Sequence, residues 1–292
     1  AMNQCFRAYS QASALQYRRD RDLPEGSLAV IVQQQVQGLC SGVAFSRDPF
    51  TGAGDAVVIE ALLGPAAFVT AGQRSPEQWQ VTLQPADRPD NLESPDSWRL
   101  PEALPLAVKG SGETPQRLLQ EVAFLARHLE QRCAGIPQNI EWSFDGDRLW
   151  LLQSRPIIPV EGQRGQGAQR QLPTAEPPTV ALTEATSRLH ALPVCPGAAT
   201  GKVSVLKALR QPQALPLDTI LVVPFLKASD LPAFAQLPIN GLIAETGGQL
   251  SNGAIAAREY GIPTIVMSQR RDRLQSGQRI HLDSTLGTVD LL

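Results

Sequence analysis

Hydrophobic positions in the first half of the chain fall into short runs between turn residues, with two stretches at helical spacing. Residues 1–20 read as helical and end in the charged run Arg18-Arg19-Asp20-Arg21-Asp22. Residues 28–32, Leu-Ala-Val-Ile-Val, form a continuous apolar run of strand length, expected to be buried on both faces. Strands are also expected at 41–46, 57–61 and 79–83, the first ending in the turn signals Asp48-Pro49 and Thr51-Gly52. Residues 84–112, rich in proline and aspartate, read as an exposed excursion. Thr114-Pro115 opens a helix whose apolar residues Leu118, Val122, Leu125 and Leu129 share one stripe. Two more strands, 140–144 and 149–153, flank the hairpin turn Asp145-Gly146-Asp147. Mixed strands and helices make residues 1–158 an α/β (α+β) domain.

Residues 159–188 are rich in proline, glycine and glutamine, with almost no large apolar side chain to build a core. They read as a linker, either one that lets the flanking domains move or a tolerated surface loop. Residues 189–292 form a second domain of short strands, expected at 201–206, 219–223, 241–244, 264–267, 279–283 and 287–290. A helix over 254–260 interrupts them and is stopped by Gly261 and Pro263.

Gly247 and Gly248 precede that helix and free the backbone to turn tightly, while Ser251 can cap it. A glycine turn feeding a helix N-terminus presents unpaired N–H groups and a positive dipole end, which suits a phosphoryl group. In the first domain, pairing across the Asp-Gly turn brings Glu141 and Gln153 near one another on adjacent strands. A carboxylate and an amide oxygen side by side are hard ligands suited to Mg²⁺ bridging nucleotide phosphates. Arg155, two residues beyond Gln153, projects on the same face and can clamp a phosphate.

The run from Gly247 to Pro263 resembles the swivelling phosphohistidine domain of phosphoenolpyruvate-utilising enzymes such as phosphoenolpyruvate synthase, pyruvate phosphate dikinase and rifampicin phosphotransferase. Their pattern is Gly-Gly-x-x-Ser-His-x-Ala-Ile, then Ala-Arg-Glu-x-Gly-Ile-Pro, and this chain carries Asn252 at the phosphorylated histidine. A side-chain amide has its nitrogen lone pair delocalised into the carbonyl and cannot take over as phosphoryl acceptor.

Gln138-Asn139-Ile140-Glu141-Trp142 and Leu152-Gln153-Ser154-Arg155-Pro156 are similar to Pro-Gln-Asp-Ile-Glu-Trp and Leu-Gln-Ser-Arg-Pro at the end of that family's ATP-grasp domain. The resemblance implies that Glu141 and Gln153 ligate magnesium, that Arg155 contacts nucleotide phosphate, and that Gln33 lies near the adenine. Residues 41–52 are close to the family's Ser-Gly-Val-Met-Phe-Thr-x-Asp-Pro-x-Thr-Gly. It implies a partial ATP-grasp domain (1–158), a flexible linker (159–188) and a β/β/α swivelling domain (189–292), with ATP and Mg²⁺ as cofactors.

Three departures from the pattern bear on activity. By the resemblance the chain is expected to open partway through the ATP-grasp domain, Gly64-Pro65-Ala66-Ala67 replaces Gly-Leu-Gly-Glu, and Asn252 removes the phosphoryl carrier. The expected function is phosphoenolpyruvate synthase-like phosphotransfer, inactive in this chain alone. The alternatives are a non-catalytic regulatory or partner-binding relative, or a two-domain protein whose motifs are relics. The expected partners are a nucleotide and either the missing N-terminal ATP-grasp half or another protein.

Composition narrows this little further. A chain of 292 residues can build two cores, and a net charge of −2 gives no basic field for nucleic acid or an anionic membrane. No apolar run reaches membrane-spanning length, and the start lacks the order of a signal peptide. Cys5, Cys40, Cys133 and Cys195 are widely spaced; metal or disulfide roles stay open beside the expected buried, reduced thiols of a cytoplasmic protein. His128, His190 and His281 form no ligand cluster, so no structural metal is expected.

Overall fold

Two short helices lead the chain, α1 (Met2–Tyr9) and α2 (Ala12–Asp20). The computed structural model describes residues 2–49, 52–83, 106–157, 188–206, 215–267 and 273–292. By their contacts these form two units: Gln35–Gly162 with Gly247–Asn252, and Ala1–Gln34 with Gln163–Thr246 and Gly253–Leu292. Each is mixed α/β, and each is built around one sheet. No helix among the described residues is long and apolar enough to cross a membrane.

Residues 28–32 depart from expectation. They are irregular rather than a strand, with Ile31 85% and Val32 80% exposed. A strand needs a neighbour to satisfy its backbone, and none among the described strands pairs with this run.

The first unit holds β1 (Cys40–Phe45), β2 (Ala56–Leu63), α3 (Ala67–Thr70), β3 (Glu77–Thr82), β4 (Ala107–Gly110), α4 (Gln116–Arg132), β5 (Gln138–Phe144) and β6 (Leu149–Pro156). Its six-stranded sheet runs β4-β3-β2-β1-β5-β6 and is antiparallel throughout. Alternation along the strands sends Ala44, Ile59, Val81, Ile140 and Trp142 to one face. There they pack with Leu118, Leu119, Val122 and Leu125 of α4, the stripe expected from helical spacing. Burying one such side chain contributes about 1.5–3 kcal/mol.

Glu77 fixes the start of α4. Its carboxylate accepts bonds from the Glu113 and Thr114 amides and from Thr114 Oγ1, at 2.7, 3.2 and 2.5 Å. Trp79 Nε1 adds a fourth at 3.1 Å. Burial works against the charge, but these donors outweigh it and hold Glu77 below its ordinary pKa. Within the expected excursion, residues 107–110 are β4, an edge strand; residues 84–105 lie outside the described residues.

The second unit continues with β7 (Arg188–His190), β8 (Leu192–Cys195), β9 (Ala198–Val205), β10 (Thr219–Phe225), α5 (Leu231–Phe234), β11 (Ile239–Thr246), α6 (Asn252–Glu259), β12 (Thr264–Val266), β13 (Arg279–Asp283) and β14 (Thr288–Leu291). The eight strands run β7-β14-β13-β9-β10-β11-β12-β8. Strands β9 to β12 are parallel and the outer ones antiparallel. Leu221 and Val223 face a core with α5 and α6, whereas Ile220 and Val222 face a second core with Ile280 and Leu282. Burial on both faces explains why 219–223 reads as an unbroken apolar run.

Helix α6 ends as expected: Ile262 N donates to the Ala257 carbonyl and Gly261 N to that of Arg258. Residues 1–34, grouped by sequence with 1–158, cluster with this second unit. Tyr17 Oη donates to Glu259 and Tyr260 Oη to Asp20, both at 3.0 Å, and Arg21 pairs with Glu259 at 3.4 Å. Of the expected linker, only Arg188 is described; it opens β7 and pairs with Asp290. Strands β7 and β8 are too short to show alternation, and Pro193 in β8 argues against a strand.

Candidate functional site

The β5–β6 hairpin is closed by Asp145, whose carboxylate accepts from the amides of Asp147 and Arg148 and from Trp150 Nε1. Those donors lower its pKa to about 2. The resulting register sets Glu141 directly opposite Gln153 and Asn139 opposite Arg155. Opposed residues of an antiparallel pair share a face. Glu141 and Gln153, expected from the sequence as a pair, therefore stand together, with Arg155 on the same face.

Pairing through β1 extends this face. Val43 lies opposite both Glu141 and Glu60, and Glu60 opposite Gln78. One row thus crosses five strands as Gln78, Glu60, Val43, Glu141 and Gln153, on the side of the sheet away from α4. The next row is Gln80, Val58, Phe45, Asn139 and Arg155. Strands spaced about 4.8 Å apart put the Glu60 and Glu141 backbones about 10 Å apart.

Burial raises the Glu141 pKa, and the neighbouring Arg155 guanidinium offsets only part of that rise. Asn139 is 4% exposed, and its Oδ1 is buried with no hydrogen-bond partner among the described residues. An orphaned oxygen beside a carboxylate and a second amide fits a hard cation better than an apolar ligand. Among the described residues no group of three or more His, Cys, Asp or Glu forms a cage. A cation at this face could be held by Glu141, Gln153 and Asn139, and would need its other oxygens from water or from a bound anion.

Residues Gly247–Asn252 belong to this same unit. Gly247 has φ 130°, a conformation open to glycine. Ser251 Oγ donates to the Gly248 carbonyl at 3.1 Å and tightens the turn into α6. Arg155 Nη2 donates to Asn252 Oδ1 at 3.2 Å. The Glu60 carboxylate accepts from the Gln249 amide at 2.5 Å, the Leu250 amide at 3.0 Å and Gln78 Nε2 at 3.3 Å. Gln33 is exposed, lies in the irregular segment and groups with the other unit, so the register does not bring it to this face.

Sequence reasoning passed over Glu60 and Asn139. Glu60 had a signal: it is the one charge inside the apolar run of β2, and a buried charge demands partners. Asn139 sits two residues before Glu141, so strand period alone places them on one face.

Residues 1–175 match the family model described as pyruvate phosphate dikinase, AMP/ATP-binding domain. Residues 215–287 match the one described as PEP-utilising enzyme, mobile domain. A probable phosphoenolpyruvate synthase of Methanothermobacter thermautotrophicus is 25% identical over 99% of this chain and 41% of its own length. The phosphoenolpyruvate synthase of Aeropyrum pernix is 26% identical over 95% of this chain and 38% of its own. A rifampicin phosphotransferase of Streptomyces sviceus is 36% identical over 36% of this chain and 12% of its own. The chain spans about two fifths of the length of the synthases it matches. With the first model covering more than half of the chain, the protein belongs to the phosphoenolpyruvate-utilising enzyme family.

Proposed function

We propose that the six-stranded unit binds ATP with Mg²⁺ on the Glu141 face, as a partial ATP-grasp domain, and that the eight-stranded unit corresponds to a swivelling domain. The opposition of Glu141 and Gln153, with Arg155 on the same face, carries this reading. Glu141, Gln153 and Asn139 hold the magnesium, which neutralises charge between the nucleotide phosphates. Arg155 supplies the phosphate clamp with a fixed, permanently charged fork.

In this reading the protein takes part in phosphoenolpyruvate synthase-like phosphotransfer but does not carry the phosphoryl group at residue 252. Asn252 offers only an amide there, and its Oδ1 already accepts from Arg155. That observation also favours the second reading, a non-catalytic, nucleotide-responsive module of the same family. Both require the nucleotide. Thermal unfolding with ATP and Mg²⁺ tests it: a midpoint rising with ATP concentration is expected, and one unmoved by ATP and Mg²⁺ together overturns both readings.

A further inference from the structure

Glu60 is 1% exposed, and the row of site residues gives it no cationic side chain on either neighbouring strand. Its carboxylate accepts from backbone instead: the amides of Gln249 and Leu250, three and two residues before α6. A Cβ on Gly248 would strike the Glu60 carboxylate, so the close approach depends on that glycine. The loop is held at its other end by Arg155 on Asn252.

We propose that Glu60 is an internal anion that latches the glycine loop to the sheet and keeps the Gln249 and Leu250 N–H groups from any phosphoryl group. Two charge-assisted bonds from one carboxylate to consecutive amides fix both the height and the direction of the loop. While they are made, those N–H groups point at a carboxylate, and a second anion at the same amides meets its repulsion. The latch is thus an autoinhibitory contact. It does not depend on the nucleotide reading, because both partners belong to the protein.

Amide hydrogen exchange of the full chain at Gln249 and Leu250 tests this, with Val57 and Ile59 of the same strand as Glu60 reporting the sheet. Glu60→Gln keeps the shape and removes the charge. In it, exchange at 249 and 250 should rise about tenfold or more while 57 and 59 stay protected. Inorganic phosphate should slow exchange at 249 and 250 in the variant and leave the wild-type amides unchanged. Equal exchange in the two proteins overturns the latch; phosphate acting on both, or on neither, overturns the exclusion. If Glu60→Gln loosens the sheet as well, Gly248→Ala, which leaves the charge and blocks the approach, must speed exchange at 249 and 250 alone.

Discussion

Glu141 of β5 stands directly opposite Gln153 of β6, and the two share a face with Arg155 and Asn139. An antiparallel register converts residues a dozen positions apart in sequence into cross-strand neighbours. The same register, carried through Val43, brings Glu60 into line with them. One sheet face thus presents two carboxylates, several amides and a guanidinium, and the other face is left to the α4 core.

The raised pKa of Glu141 has a consequence for stability. The folded protein keeps this proton at pH values where the unfolded chain, with an ordinary value of 4.5, has released it. Its contribution is therefore most favourable below that value and declines as pH rises through the raised one. Glu141→Gln should remove this part of the slope. Urea unfolding midpoints at stepped pH check it, and parallel curves for the two proteins would contradict it.

Arg155→Ala removes a charged, potentially bidentate contact to phosphate. ATP affinity should fall about tenfold to a hundredfold. Arg155→Lys should restore only part of it, since an ammonium cannot reproduce the planar fork. Dissociation constants for the three proteins check this, and an unchanged value for the alanine variant would remove Arg155 from the site.

Much of this was legible because the physics is local. The α4 stripe, the Asp-Gly hairpin and the alternating strands follow from spacing and turn chemistry within a few residues. The run 28–32 was misread because an apolar stretch states a preference for burial without naming its neighbour. Glu60 was missed for a related reason: two of its partners are amides 189 and 190 positions away, and backbone groups leave no trace in a residue pattern.

Glu77 supports the fold from the opposite face. Glu77→Gln forfeits charge-assisted bonds to the start of α4 and should cost about 1–3 kcal/mol. Because its pKa is held below the ordinary 4.5, the wild-type advantage is present above that value and is lost as pH falls through the depressed one. Unfolding at neutral and acid pH checks both, and a deficit that persists unchanged in acid would contradict the assignment.

Asn252 makes a chemical prediction. After incubation with radiolabelled ATP and Mg²⁺ the protein should carry no acid-labile phosphoryl label, because an amide nitrogen is not a nucleophile of that kind. Label recovered on a peptide containing residue 252 would contradict it.

The central claim is that Glu141 anchors a magnesium nucleotide. Calorimetric titration of the wild type and Glu141→Ala with ATP, each with and without Mg²⁺, tests it most directly. The account predicts saturable, magnesium-dependent heat in the wild type that is lost or weakened at least about tenfold in the variant. Equal binding by the two proteins, or silence in both, would contradict it.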